Sequence, residues 1–272
     1  MSFLTKNPKL IEEIIRISKD VGEIILEIYN KSDSDFQLKD DLTPLTEADI
    51  TAHNIIKENL KSLTPEVPII SEEDSNIPFE LRSKWKRYWL VDPLDGTREF
   101  IKRNGEFTIN IALIENSTPT LGIINIPVTK ETYWGSDING SFYQKDIQEI
   151  KRIYADEKEL DSMKILASRS HLSEAEKVLF NKFNDYKVIK KGSSLKFCLI
   201  AAGEADIYFR LGPTSEWDIA AGHAIAKYAG CYVRDLNGGK IKYNQSETYI
   251  KKNFLVSKNK EVLKKIFSVM SE

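Results

Sequence analysis

At 272 residues the chain is long enough to bury a substantial core, as one large domain or two intimately packed halves. Its 39 basic and 41 acidic side chains leave a formal charge of −2, which excludes the footprint of a nucleic-acid-polymer binder but allows a local basic pocket for a small anion. Two cysteines without CxxC spacing and three scattered histidines argue against a zinc site, and no run of about 20 apolar residues could span a membrane. The opening residues, Met1 to Pro8, lack the apolar stretch of a signal peptide. The cytoplasm is the expected compartment, with Cys198 and Cys231 buried and reduced; peripheral attachment to the cytoplasmic face of an inner membrane stays open.

Pro8 can start a helix, and Leu10, Ile11, Ile14, Ile17, Val21, Ile25 and Ile28 recur at helical spacing up to Asn30. The polar stretch from Lys31 to Leu45, with Lys39-Asp40-Asp41-Leu42-Thr43-Pro44, is expected to be a loop. Thr46 followed three residues later by Asp49 has the form of a capping pair opening a second helix. Val67 to Ile70 reads as a short strand ending in Ser71-Glu72-Glu73-Asp74, and Tyr88 to Val91 as a buried strand stopped at Asp92-Pro93. A short helix over Arg98 to Lys102 and strands over Phe107–Ile114, Thr120–Ile126, Glu131–Gly135 and Ser141–Gln144 complete a largely antiparallel first half.

A polar segment, Lys145 to Asp161, suggests a boundary between residues 1–150 and 151–272. Beyond it strands and helices alternate: Lys164–Ala167, Ser173–Phe183, Lys187–Ile189, Ser194–Ala202, Asp206–Phe209, Asp218–Ala229, Cys231–Arg234, Phe254–Val256 and Glu261–Met270. That order predicts a mixed or parallel sheet between helices.

The acids carry the chemistry. Asp92 and Asp95, separated by Pro93-Leu94 and followed by Gly96, can be brought to one point by a tight turn. Two carboxylates roughly 4 Å apart repel by about 4 kcal/mol at an effective dielectric of about 20, so such a pair shares a proton or binds a metal. All-oxygen ligands point to a hard ion, Mg²⁺ before Zn²⁺. Glu72, also at a strand's end, is a third ligand candidate, and Asp218, opening the small-residue helix Ile219-Ala220-Ala221-Gly222, is a fourth. Plain readings stand beside these: Asp-Pro and Asp-Gly are turn pairs, and Asp49 and Asp218 could simply cap helices.

Taken together, Asp49, Ser71-Glu72-Glu73, Asp92-Pro93-Leu94-Asp95-Gly96-Thr97 and Trp217-Asp218-Ile219-Ala220-Ala221-Gly222 resemble the inositol monophosphatase superfamily, over nearly the whole chain. Leu63-Thr64-Pro65, Arg103-Asn104-Gly105-Glu106-Phe107-Thr108, Ser168-Arg169-Ser170-His171, Gly192 to Cys198 and Gly212-Pro213-Thr214 look closer to its CysQ-type 3'(2'),5'-bisphosphate nucleotidase branch. The connection from Gln144 to Ser162, the tail after Ser257 and the stretch Ser75 to Leu81 depart from that branch.

The resemblance implies an α/β (α+β) protein with the layered αβαβα sugar-phosphatase fold. It implies a Mg²⁺-dependent phosphatase that hydrolyses adenosine 3',5'-bisphosphate to AMP and phosphate, and 3'-phosphoadenylyl sulfate as well, with sensitivity to lithium. In that reading Glu72, Asp92 and the Leu94 carbonyl hold one Mg²⁺ and Asp92, Asp95 and Asp218 a second, with a third ion near Glu72. Thr97, hydrogen-bonded to Asp49, orients the attacking water, and amides near Gly96 and Thr97 hold the phosphate. Ser193, Lys196 and Arg210 grip the second phosphate, and His171 meets the adenosine or caps the helix after it. Alternatives are an inositol-1-phosphate phosphatase and a catalytically silent metal-binding scaffold. The expected partner is a nucleotide, not a nucleic-acid polymer; a monomer is expected, with a homodimer open.

Overall fold

The computed structural model describes residues 2–31, 36–38, 44–155 and 162–271. A short helix, α1 (Phe3–Lys6), precedes α2 (Leu10–Asn30), whose apolar positions turn one stripe inward, as the spacing predicted. Of the expected loop from Lys31 to Leu45, the described parts are β1 (Phe36–Leu38) and β2 (Pro44–Thr46), an antiparallel pair; Lys39 to Thr43 lie outside the described residues. Then follow α3 (Glu47–Leu63), β3 (Ile69–Ser71), α4 (Phe79–Arg82), β4 (Arg87–Asp95), α5 (Thr97–Ile101), β5 (Thr108–Glu115), β6 (Thr118–Ile126), β7 (Glu131–Ser136), β8 (Gly140–Lys145) and β9 (Lys151–Ile153). Strands β3 to β9 form a seven-stranded sheet in chain order, antiparallel except for the parallel β3–β4 pair.

The remaining elements are β10 (Met163–Ser168), α6 (Glu174–Phe180), β11 (Tyr186–Lys191), α7 (Leu195–Ala201), β12 (Ile207–Ser215), α8 (Glu216–Tyr228), β13 (Tyr232–Arg234), β14 (Ile250–Ser257) and α9 (Lys260–Ser271). Their strands make a five-stranded mixed sheet, β11-β10-β12-β14-β13. Two expectations need correction. Strand β4 does not stop at Pro93; the pairing with β5 breaks after Asp92 and resumes at Asp95, so the proline sits in a bulge. The polar segment after Lys145 contains β9, which pairs with β8 as the sheet's edge, and its residues 156–161 lie outside the described part.

Five layers result. Helices α2 and α3 cover the outer face of the large sheet, where their apolar stripes meet Trp89, Val91, Ile111 and Leu113. Helices α7 and α8 fill the space between the sheets in one continuous apolar cluster, and α6 and α9 close the far face of the small sheet around Phe180, Phe209 and Ile266. Both sheets therefore need α8 to bury their inner faces.

Small residues seat α8. A methyl group on Gly122 of β6 would lie 2.2 Å from the Ala221 carbonyl oxygen and 2.8 Å from Ala221 Cα, so strand and helix backbones touch directly. This seating fixes the helix start that carries Asp218. G122A is accordingly expected to lower stability by about 1–3 kcal/mol in urea unfolding, the usual range for overpacking, and to weaken divalent-cation binding as α8 is pushed off the sheet.

Candidate active site

The parallel β3–β4 pairing sets Ser71 opposite Val91, and the Glu72 amide donates to the Val91 carbonyl at 3.0 Å. Glu72 and Asp92 thus emerge side by side, one just past the end of β3 and the other at the bulge in β4. From the other direction α8 begins at Glu216, where the Ser215 amide donates to Asp218 Oδ2 at 3.1 Å. Asp218 therefore caps its helix, as its plain reading proposed, while its carboxylate also faces the strand ends. Oxygen atoms of Glu72, Asp92 and Asp218 lie within 4.8 Å of one another.

Asp95 lines the same cleft, but its Oδ2 is engaged by the amide and hydroxyl of Ser194 at 2.7 and 2.6 Å, with Asn110 Nδ2 at 3.3 Å. Those contacts and one from Thr108 all fall on Oδ2, leaving Oδ1 for a further ligand. Asp92 Oδ1 accepts from the Leu94 amide at 3.1 Å, and the Leu94 carbonyl lies 3.4 Å from Thr97 Oγ1.

Asp49 serves as the cap of α3 with one oxygen and meets Thr97 with the other. Its Oδ2 accepts from the Thr46 amide at 2.7 Å and the Thr46 hydroxyl at 2.5 Å, while Oδ1 accepts from the Thr97 hydroxyl at 3.1 Å. Thr97 begins α5 directly after Gly96, whose φ of 92° is a left-handed conformation that favours glycine. A methyl group at Gly96 would also meet Ser193 Oγ at 2.2 Å.

Across the cleft stands a cationic wall. Lys196 on α7 is buried, with Nζ donating to the carbonyls of Ser193 at 2.5 Å and Lys191 at 3.2 Å. Arg210 on β12 donates to Thr214 Oγ1 at 2.9 Å, the His171 carbonyl at 3.0 Å and the Pro213 carbonyl at 3.3 Å. Among the described residues all these partners are neutral, so neither positive charge is compensated by an ion pair. The Ser193 hydroxyl, expected to meet a phosphate, lies 2.6 and 2.9 Å from the carbonyl oxygens of Glu106 and Asp95. His171 lines the cleft but does not cap α6; Ser173 and Glu176 form that cap. The whole cleft encloses about 250 Å³ and brings Gly96, Thr97, His171, Ser193, Lys196 and Arg210 together with Glu72, Asp92, Asp95 and Asp218.

Burial, and then repulsion from Glu72, Asp95 and Asp218, pushes the Asp92 carboxyl well above the usual carboxylate range. Asp218 moves the same way, through burial and then Asp95 and Glu72. Burial lowers Lys196 to about 8, partly opposed by the nearby Asp95. Crowded all-oxygen acids whose charged forms are disfavoured suit a hard divalent cation, which removes the repulsion that raises them. Two residues at the site were not foreseen: Ser194, which holds Asp95 and reaches the Asp218 carbonyl at 2.8 Å, and Glu99, which lines the cleft. Each lies in or beside a stretch that the family resemblance singled out, yet neither has a spacing that marks it.

A cation-dependent phosphatase scaffold of five alternating layers is the class this fold and cleft define. The model of the inositol monophosphatase family matches residues 7–272. The chain is 41% identical over 249 residues to the 3'(2'),5'-bisphosphate nucleotidase CysQ of Salmonella typhimurium, covering 91% of this chain and 99% of that one. It is 42% identical over 257 residues to the corresponding Buchnera aphidicola protein, covering 92% and 94%. The crystal structure of CysQ from Bacteroides thetaiotaomicron superposes with a TM-score of 0.80 at 36% identity, over 92% of this chain and 97% of that one. An IMPase from Thermotoga maritima gives 0.76 at 26% identity, over 96% and 97%. This chain belongs to the inositol monophosphatase family.

Asp92 and Asp218 bind more protons in the folded than in the unfolded chain, because their folded-state pKa values are raised. Their contribution to stability therefore falls as pH rises from the ordinary carboxylate range through the raised values. A cation that relieves the repulsion restores it. The rise in melting temperature on adding Mg²⁺ is expected to be larger near pH 8 than near pH 5. Thermal unfolding with Mg²⁺ or with a chelator checks this, and D92N should shrink both the Mg²⁺ effect and its pH dependence.

Proposed function

We infer that this protein is a Mg²⁺-dependent 3'(2'),5'-bisphosphate nucleotidase that hydrolyses adenosine 3',5'-bisphosphate to AMP and phosphate, and also acts on 3'-phosphoadenylyl sulfate. The observation that carries the reading is the pairing, in one cleft, of an acidic cluster with the cations Lys196 and Arg210, neither in an ion pair among the described residues. A substrate with one phosphate to cleave and another to hold needs both. The bisphosphate nucleotidases of Salmonella typhimurium and Buchnera aphidicola support the assignment.

Glu72, Asp92, Asp95, the Leu94 carbonyl and Asp218 are the groups that would hold Mg²⁺. When bound, the ions acidify water and offset charge on the phosphoryl oxygens. The chain's own groups do the positioning. Asp49 accepts the Thr97 proton at Oδ1, which leaves the Thr97 hydroxyl lone pairs to accept from the attacking water. Amides at the start of α5, near Gly96 and Thr97, orient the scissile phosphate; with so short a helix they act as individual donors. Attack in line places the hydroxyl of water on phosphorus as the ribose oxygen leaves and takes up a proton.

Lys196, Arg210 and Ser193 hold the spectator phosphate by exchanging neutral carbonyl acceptors for a charged one, which makes stronger hydrogen bonds. His171, on the exposed rim, meets the nucleoside. The enzyme is assigned to the cytoplasm as a monomer, in keeping with its two buried free thiols. Among the described residues no helix is long and apolar enough to cross a membrane.

Phosphate release with Mg²⁺ from adenosine 3',5'-bisphosphate and from inositol 1-phosphate tests the reading. R210E is expected to raise KM for the bisphosphate about 10- to 100-fold, the weight of one or two charge-assisted hydrogen bonds, and to change turnover of the sugar phosphate far less. D95N is expected to reduce kcat on both substrates by about two orders of magnitude. Full turnover by D95N would show that Asp95 holds no essential ion, and a wild type that prefers inositol 1-phosphate would assign the enzyme to the sugar substrate.

A further inference from the structure

The stretches Arg103 to Thr108 and Ser168 to His171 supply neither an acid of the cluster nor a cation of the wall, yet they meet. Glu106 follows the turn at Gly105 on the large-sheet side, and Arg169 follows β10 of the small sheet. Arg169 Nε and Nη2 donate to the two carboxylate oxygens of Glu106 at 2.6 and 2.8 Å, the paired geometry that fixes orientation as well as distance. The same carboxylate accepts from the Gly192 amide at 2.7 Å and from Lys191 Nζ at 3.3 Å. The Glu106 carbonyl accepts from the Ser193 hydroxyl at 2.6 Å.

Arg169 in turn reaches the Lys190 carbonyl at 3.1 Å, and its amide donates to the Lys191 carbonyl at 3.1 Å. One glutamate thus holds the turn between β11 and α7 from three sides. That turn includes Ser193, held at φ 47°, and two of its carbonyls receive the Lys196 ammonium. There is no room to slide: a methyl group on Gly192 would lie 2.8 Å from the Glu106 carbonyl oxygen. On the other side the Ser193 hydroxyl touches the Asp95 carbonyl, so the clamp ends on the segment that carries the acids.

We propose that the Glu106–Arg169 clamp is a spacer that sets the distance between the reacting phosphate and the spectator phosphate, making Glu106 a positioning residue for bisphosphate specificity. It acts through the 191–194 turn and touches neither phosphate. The proposal rests on the assignment of Lys196 and Ser193 to the spectator phosphate made above. Its chemical consequence is selective. Loosening the clamp displaces the cationic socket, while Ser194, anchored separately by Asn110 Nδ2 and the Asp218 carbonyl, keeps its hold on Asp95, so substrates with two phosphates suffer more than those with one.

The test compares adenosine 3',5'-bisphosphate with 3'-AMP, which lacks the second phosphate, in the intact Mg²⁺-loaded enzyme. E106Q keeps the side-chain size but loses the charge. It is expected to raise KM for the bisphosphate about tenfold, as loss of a charge-assisted pair does, with kcat on the bisphosphate and kcat/KM on 3'-AMP within about threefold of wild type. Arg169 is 42% exposed, so R169Q provides the same test without disturbing the buried partner should E106Q fold poorly. The double variant should be no worse than the more damaging single one, because the two share the Glu106–Arg169 pair.

A merely structural role predicts a different pattern, with equal losses on the two substrates and a parallel fall in melting temperature. That pattern, or no change on the bisphosphate in either variant, overturns the spacer. A wild type that fails to favour the bisphosphate over 3'-AMP instead overturns the functional assignment beneath it.

Discussion

Electrostatic repulsion among crowded carboxylates is the constraint on which the rest of the molecule depends. Glu72, Asp92 and Asp218 are forced within 4.8 Å of one another by three separate pieces of backbone: a strand end, a bulge and a helix start. Left alone, such a cluster opposes its own folding. The surrounding structure holds it by apolar burial on both sides of the large sheet and by contacts that tie each acid down. Ser194 grips Asp95, the Leu94 amide grips Asp92, and the Ser215 amide grips Asp218. The arrangement makes sense as a preformed receptor for a divalent cation, with folding energy stored as affinity for the ion.

The cationic wall obeys the complementary logic. Lys196 is buried and pushed down to about 8, yet its hydrogen-bond partners are neutral carbonyls. Among the described residues neither Lys196 nor Arg210 makes an ion pair, although Asp95 acts on Lys196 across the cleft. Acid cluster and basic wall give one cleft an acidic end and a basic end. Helix α7, which carries Lys196, and α8, which carries Asp218, lie side by side in the layer between the two sheets.

Most of the architecture was legible because its signals are local. Helical spacing in α2, alternation through β5 to β8 and the strand–helix alternation after Met163 each declare an element within a short window. What was not legible was continuity decided by partners. Pro93 reads as a strand end, yet β5 recovers the pairing at Asp95, and the polar residues before Met163 conceal β9, whose place is set by β8. At the site, Asp49 and Asp218 were readable as caps or as functional acids; each is a cap, with the second oxygen of Asp49 meeting Thr97 and the carboxylate of Asp218 lining the cleft. Local spacing cannot separate two uses of one carboxylate. The contacts of Ser194 and Glu106 were hidden for another reason: their partners Asp95 and Arg169 lie 99 and 63 residues away, on the other sheet or beside it.

The direct backbone contact between Gly122 and Ala221 has a broader implication. Helix α8 supplies apolar surface to both sheets, so neither could keep its inner face dry if the chain were cut at the polar connector. The protein resembles a lock with a single shared bolt. Gene fragments encoding either sheet would have to be produced together to yield a working enzyme, and a lineage could not exchange one sheet for a foreign one without also inheriting the helix that fits both.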